Sequence, residues 1–249
     1  LEGAFEQRDL EWCSRLGLWH AVHCDEQIDM LATHKTQEPH RVFLKMNSGM
    51  NRLGFRPAQF RAAWMRLNAL PQVDEISLMT HFSDADSPDP AHAVLTQQVQ
   101  TFVAATHDLP GERSLCNSAA LLRHGQAAMP SPGTTAPQRH AAALTADWVR
   151  PGIAVYGGAP DHPHTTSTAR GLRPAMTLAS RLIGVQQLAV GESVGYGSTF
   201  QADRPMRIGV VACGYADGYP RHAPGLAGRG TPVLVDGVRT GLVGRVSMD

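Results

Sequence analysis

The sequence predicts an α/β domain of βα repeats followed by a second domain that is mostly β. Three observations carry that prediction. Through residues 1–158, short apolar runs alternate with longer amphipathic ones, the pattern of parallel strands joined by helical crossovers. After Tyr156 the composition turns to Gly157-Gly158-Ala159-Pro160-Asp161-His162-Pro163-His164-Thr165-Thr166-Ser167-Thr168, rich in turn formers and poor in apolar anchors, which makes 159–174 a linker. From residue 175 onward apolar runs continue without a helix-length period, so 175–249 reads as a β-rich domain.

In the first domain the strand candidates are Leu18–Val22, Val42–Met46, Ile76–Thr80, Ser114–Cys116 and Ile153–Tyr156, with Leu1–Phe5 a sixth on a generous reading. Between them, Phe60, Ala63, Trp64, Leu67 and Leu70 recur at helical spacing after Pro57 and should lay one apolar stripe on the sheet. Asp89-Pro90 supplies an N-cap and first-turn proline for a helix whose inner face carries Leu95, Val99, Phe102 and Val103. The Pro-, Gly- and Ala-rich stretch Gln126–Ala143 reads as a surface excursion. In the second domain Ala175–Leu188, Met206–Cys213, Pro232–Val235 and Val238–Val243 read as strands, and Asp236-Gly237 suits a tight hairpin turn. A TIM-type (β/α)8 barrel needs eight units, so six strands make a partial one. Both ends look cut: the chain starts without Met and stops at Met248-Asp249, directly after an apolar strand.

Bulk composition narrows the function classes. The 249 residues are 43% hydrophobic and 18% charged, with 22 basic and 22 acidic side chains and a formal net charge of zero. That is ordinary globular composition, and without a basic run it argues against nucleic acid as the main partner. No apolar stretch is long enough for a membrane span, and Leu1-Glu2-Gly3-Ala4-Phe5 lacks the regions of a signal peptide, so cytoplasmic residence is the expectation. Cys13, Cys24, Cys116 and Cys213 are scattered, which suits free thiols better than a disulfide framework. The 12 histidines show no ligand-spaced cluster beyond His162-Pro163-His164, so no metal is expected.

Several polar residues fall at the ends of predicted strands: Lys45, His81, Asn117, Ser118 and Arg150, with Gly152 close behind. In a βα barrel the carboxyl ends of the strands form the functional face. Taken singly, each could simply end a strand in solvent; five at one rim point to a site.

Motifs along nearly the whole chain carry a family resemblance. They are Lys45-Met46-Asn47-Ser48-Gly49-Met50-Asn51-Arg52-Leu53-Gly54-Phe55, Thr80-His81-Phe82, Asn117-Ser118-Ala119-Ala120 and Trp148-Val149-Arg150-Pro151-Gly152-Ile153 in the first domain. In the second they are Gly195-Tyr196-Gly197, Gly214-Tyr215-Ala216-Asp217-Gly218-Tyr219-Pro220-Arg221 and Gly244-Arg245-Val246-Ser247-Met248-Asp249. Their order, and their division between a barrel part and a β part, resemble the bacterial alanine racemases. The resemblance implies a pyridoxal-phosphate-dependent isomerase that interconverts L- and D-alanine for peptidoglycan. It also implies a homodimer whose active sites are shared across the interface.

Inverting an α-carbon requires removing a weakly acidic proton from one face and returning one to the other, so two opposed acid/base groups are needed. By resemblance one is Tyr215, delivered by the second subunit, and the other is the Schiff-base lysine, which belongs to a segment before Leu1; neither Lys35 nor Lys45 sits in its motif. The chain alone is therefore expected to be inactive. A free phenol has a pKa of about 10, so a tyrosine base needs cationic neighbours, and His81 and Arg150 resemble the pair that links it to the pyridine nitrogen. Arg52 resembles the residue that meets the substrate carboxylate. Lys45 resembles a lysine carbamylated in many relatives, with Asp249 in a supporting role; an ordinary surface lysine is the other reading. Asn117, Ser118, Arg150 and the N–H groups of Gly152 and Ile153 resemble the cofactor and phosphate contacts, and Met248 a backbone contact to substrate from the partner. Residues alone give other readings: a turn aromatic for Tyr215, a satisfied barrel histidine for His81, core filler for Met248. The alternatives for the whole are another amino-acid racemase or a decarboxylase of the same architecture, or a non-catalytic dimerisation module.

Overall fold

The computed structural model describes residues 1–35, 37–88, 93–124, 144, 146–225 and 229–249, and these fall into two units, Leu1–Met176 and Thr177–Asp249. In the first unit the order is α1 (Gln7–Leu16), β1 (His20–Val22), α2 (Asp25–Thr33), β2 (His40–Lys45), α3 (Pro57–Asn68), β3 (Val73–Met79), α4 (described from Ala93 to Thr106), β4 (Arg113–Asn117), α5 (Ser118–His124), β5 (Trp148–Arg150) and α6 (Gly152–Val155). The five strands form one sheet in the order β1-β2-β3-β4-β5, every pair parallel. Each strand lies beside its successor, with helices in the crossovers, which makes the unit part of the wall of a TIM-type barrel.

Alternation along the strands sorts their side chains onto two faces. On β2, Val42 and Leu44 are fully buried in the core that also takes Phe60 and Leu67 of α3 and Phe102 of α4. Pro57 opens α3 at its first position, where no amide hydrogen is needed, and Phe60, Ala63 and Leu67 form the buried stripe expected of it. The opposite face of the sheet carries Phe43, whose ring lies 5.2 Å from Trp19 and 5.8 Å from Trp148. Two residues further along the same strands stand Lys45 and Arg150. The aromatic trio thus lies beneath the charged groups that crown the carboxyl ends.

Several sequence expectations change here. Ile153–Tyr156 is not a strand. The ladder with β4 ends where Asn117 pairs with Arg150, Pro151 has no N–H to extend it, and the chain turns into α6 instead. Leu1–Phe5 joins no ladder, leaving five strands among the described residues of the first unit. Val103 is 43% exposed, because Leu95, Val99 and Phe102 already define the inward stripe of α4. Asp89-Pro90 and the whole of the Gln126–Ala143 excursion lie outside the described residues.

The stretch 159–174 packs onto the first unit and does not run as a free tether. Asp161 is buried there and accepts from Arg123 Nη1 at 3.1 Å and Arg170 Nη2 at 2.5 Å, while Arg170 Nη1 donates to Leu122 O at 2.9 Å. The chain then doubles back so closely that a Cβ on Gly157 would fall 2.0 Å from Arg173 O, at a φ of +83°.

In the second unit the described strands make three antiparallel pairs: β6 (Leu182–Leu188) with β9 (Met206–Val211), β7 (Ser193–Val194) with β8 (Phe200–Gln201), and β10 (Arg229–Val235) with β11 (Val238–Val243). Residues 175–181, expected to begin the first of these strands, are not in a ladder. Asp236 (φ 48°) and Gly237 (φ 80°) both take left-handed conformations, the type I′ geometry whose twist matches a hairpin.

Candidate active site

The first unit gathers the charged candidates at the carboxyl end of its sheet. Lys45 ends β2 at 4% exposure, which overturns the surface-lysine reading. Burial, then the positive charges of Arg52 and Arg150, lower its pKa from the ordinary lysine value. Arg52 follows in a loop braced by Asn47, whose Oδ1 accepts the N–H groups of Gly49 at 3.2 Å and Asn51 at 2.9 Å. The side chain of Arg150 is held from three directions. Its Nη1 donates to Ser114 Oγ, and its Nη2 donates to Thr80 O at 2.6 Å and Leu115 O at 3.2 Å, and meets His81 Nδ1 at 3.3 Å. Burial brings its pKa down to about 10, so the guanidinium stays charged near neutral pH.

That contact assigns the histidine's tautomer. A guanidinium can only donate, so Nδ1 of His81 accepts and its Nε2 carries the proton. Burial first, then Arg150, Arg52 and Lys45, push the His81 pKa down to about 4. The sequence suggests a cationic pair in Arg150 and His81; the structure supplies one cation, Arg150, hydrogen-bonded to a histidine that its burial and its cationic neighbours keep neutral above about pH 4.

A cluster of donors stands at the next rim position. Asn117 Oδ1 accepts from Ala120 N–H at 3.0 Å, capping the start of α5, and its Nδ2 donates to Phe82 O at 3.2 Å. Both ends of Asn117 are thereby engaged within the protein, so it acts on the site by placing Ser118. Ser118 Oγ accepts from Ala154 N–H at 3.2 Å, which leaves the hydroxyl proton for a ligand. The N–H groups of Gly152 and Ile153 open the four-residue helix α6 and have no acceptor within it. A hydroxyl and two amides side by side, with buried cations nearby, are the donor set an anionic phosphate cofactor requires. The residues fit that group.

The second unit brings its own two candidates together, although 33 positions separate them in sequence (248 − 215). Tyr215 opens a single 3-10 turn, Tyr215–Asp217. Its N–H donates to Ser247 O at 3.0 Å, and the next amide, of Ala216, donates to Met248 O at 2.9 Å. Gly214 must be glycine for this approach, since a Cβ there would lie 2.2 Å from Met248 O and 2.5 Å from the amide nitrogen of Asp249. Arg221 stands over the Tyr215 ring at 5.6 Å. Tyr215 and Met248 are 42% and 51% exposed, so neither is turn packing or core filler.

Buried histidines elsewhere give the first unit a pH signature. His20 and His40, with His20 Nε2 and His40 Nδ1 3.3 Å apart, are both pushed down to about 4 by burial; for His40 the neighbouring His20 and His34 add to it. With His81, three histidines bind protons less readily folded than unfolded, where they titrate near 6.5. Their contribution to stability is present above pH 6.5 and is lost as pH falls from 6.5 toward about 4, at up to about 1.4 kcal/mol per pH unit per histidine. The urea midpoint of the first unit should therefore drop between about pH 7 and pH 5. A flat profile across that interval would contradict the burial of these rings.

Among the described residues no helix is long and apolar enough to cross a membrane, and all four cysteines are free. The family model for the alanine racemase N-terminal domain matches residues 1–160, and that for the alanine racemase C-terminal domain matches residues 175–249. The alanine racemases of Polaromonas sp. (strain JS666) and Leptothrix cholodnii are each 67% identical over all 249 residues, which cover 62% of either relative. The biosynthetic alanine racemase from Pseudomonas aeruginosa, a solved structure, aligns with a TM-score of 0.82 at 44% identity over 100% of this chain and 63% of that one. The chain thus spans a little under two thirds of the length of the relatives it matches. By both domain matches, and by the barrel-wall and β architecture, it belongs to the alanine racemase family.

Proposed function

We propose that the protein containing this chain is a cytoplasmic, homodimeric alanine racemase that uses pyridoxal phosphate, with each active site built from the barrel unit of one copy and the C-terminal unit of the other. The observation that carries the reading is that each unit holds one half of a site: a phosphate-fitting donor cluster with Arg150 and His81 in the first, and an exposed Tyr215 fixed against Met248 in the second. Family membership supports alanine as substrate, since relatives 67% identical are named for that activity.

Pyridoxal phosphate, when bound, supplies the electron sink that makes an amino acid's α-proton removable. Everything else is work for the chain's own groups. Ser118 O–H and the N–H groups of Gly152 and Ile153 would hold the phosphate. Arg150 would donate to the cofactor ring, and because it keeps its proton it would leave the ring nitrogen without one, which would limit side reactions. Arg52 and the backbone of Met248 orient the substrate carboxylate. Tyr215 Oη takes the α-proton from one face, or returns it there, while His81 Nε2–H donates to the phenolic oxygen and steadies its charge. Lys45 is buried, and the positive charges of Arg52 and Arg150 help lower its pKa, which favours addition of carbon dioxide to its deprotonated amine; the carbamate would replace a third positive charge with a negative one, with Asp249 a further support at the site.

Purifying the natural gene product with pyridoxal phosphate and following L- to D-alanine conversion tests the reading. Interconversion in both directions is expected. A protein that binds the cofactor but turns over only another amino acid would favour a racemase of different specificity, and one that takes up no cofactor would sink the proposal.

A further inference from the structure

Arg150 sits on the last described strand of the first unit's sheet, yet the groups that fix it belong to its neighbours. Ser114 on β4 receives Nη1, while the carbonyls of Thr80 and Leu115 receive Nη2. The guanidinium is a rigid planar fork, so acceptors on two sides of it determine its plane as well as its position. Thr80 is itself pinned: its Oγ1 lies 2.7 Å from Ser48 Oγ and donates to Met46 O at 3.1 Å. Ser114 is 1% exposed, and in the sheet register it stands beside Met79, which in turn stands beside Lys45. It therefore lies on the face that carries the charged cluster. Every acceptor used by Arg150 is uncharged, an uncommon arrangement for a half-buried arginine, which usually meets a carboxylate.

We propose that Ser114 is a positioning residue for the cofactor: its hydroxyl fixes the plane of the Arg150 guanidinium and, being neutral, leaves the arginine's positive charge to act on the ring that Arg150 meets. The inference rests on the pyridoxal phosphate reading given above. A carboxylate at 114 would hold the guanidinium as firmly but cancel its charge, so substitutions there separate orientation from electrostatics. Ser77 provides the control. It is also a fully buried serine on the same face of the sheet, paired in register with Phe43, but its hydroxyl has no hydrogen-bond partner.

The test compares Ser114→Ala, Ser114→Asp, Ser114→Thr and Ser77→Ala in the natural gene product that contains this chain. Each is titrated with pyridoxal phosphate, and the absorption of the bound cofactor is followed from about pH 6 to 10. Ser114→Ala should bind the cofactor about tenfold more weakly, the worth of one hydrogen bond to a charged group. Ser114→Thr should recover most of that loss. Ser114→Asp should bind within about threefold of the parent but shift the pH midpoint of the cofactor band upward, because a neutralised Arg150 no longer opposes ring protonation. Ser77→Ala should match the parent in both. An unchanged affinity and spectrum in Ser114→Ala, or equal changes in Ser77→Ala, overturns the proposal. If Ser114→Ala does not fold, the Ser114→Asp midpoint decides: no upward shift overturns it. Should the parent bind pyridoxal phosphate and racemise alanine while the Ser114 variants behave like it, the role of Ser114 fails alone; a parent that takes up no cofactor removes both.

Discussion

Replacing Tyr215 with phenylalanine is expected to lower racemisation by about 10²–10⁴-fold, the range over which a positioned acid/base group contributes, with cofactor binding and melting temperature unchanged. The fold gives the reason for that separation. The backbone holds the residue through Tyr215 N–H to Ser247 O, Ala216 N–H to Met248 O, and Gly214 N–H to the Asp217 carboxylate at 2.9 Å. The ring stays in place beneath Arg221. None of these contacts uses the phenolic oxygen, so phenylalanine should keep the turn and lose only the proton carrier. The loss should also be one-sided. With one of two opposed bases removed, exchange of the α-hydrogen with solvent deuterium should collapse for one enantiomer and persist for the other. Measuring that exchange for L- and D-alanine separately is the check. A phenylalanine variant with parental turnover in both directions would remove Tyr215 from the chemistry.

What the sequence disclosed follows from where each signal originates. Asp236-Gly237 between apolar runs is settled by chemistry within a few residues and appears as read, and Pro57 opens the helix expected of it, with Phe60, Ala63 and Leu67 buried while Leu70 falls past its end at Asn68. Ile153–Tyr156 misled because its residues favour strands locally, while the decision lay with β4, whose pairing stops at Arg150. The turn formers of 159–174 read as a linker between the two domains, and composition cannot show that Asp161 within it is anchored by Arg123 and Arg170. The surface reading of Lys45 stayed open in the sequence for the same reason: its burial depends on neighbours from other strands.

The site was legible chiefly through motif resemblance, and the structure added the relations among its parts. That Tyr215 lies against Met248, that His81 is neutral, and that Asn117 serves Ser118 are matters of distance and burial, which spacing does not encode. Ser114 was missed outright. A signal existed, in that it is a small polar residue beside Leu115 within the strand, where alternation places it on the face opposite the helices.

The second large effect concerns stability. Asp161→Ala should destabilise the first unit by about 3–5 kcal/mol, because removing one partner of a buried ion pair leaves the other charge uncompensated. Here two charges are left: the side chain of Asp161 is 0% exposed, and those of Arg123 and Arg170 only 17% and 23%. Burial by itself would raise the Asp161 pKa, but hydrogen bonds from Arg170 and Thr165 and the charge of Arg170 outweigh it and hold the carboxyl below its ordinary 3.8. The contribution is therefore complete above about pH 4 and disappears only as pH falls through the lower folded value, distinct from the histidine window at higher pH. Arg170→Ala placed in the Asp161→Ala background should recover part of the loss by removing one stranded charge, a non-additivity that a surface pair would not show. Because Arg123 lies on the same short helix as Ser118, the aspartate variant should also weaken pyridoxal phosphate binding in the natural gene product. Urea unfolding of the two single variants and the double variant decides: a cost below about 1 kcal/mol for Asp161→Ala would mark the pair as solvent-screened and detach it from the phosphate-binding end of α5.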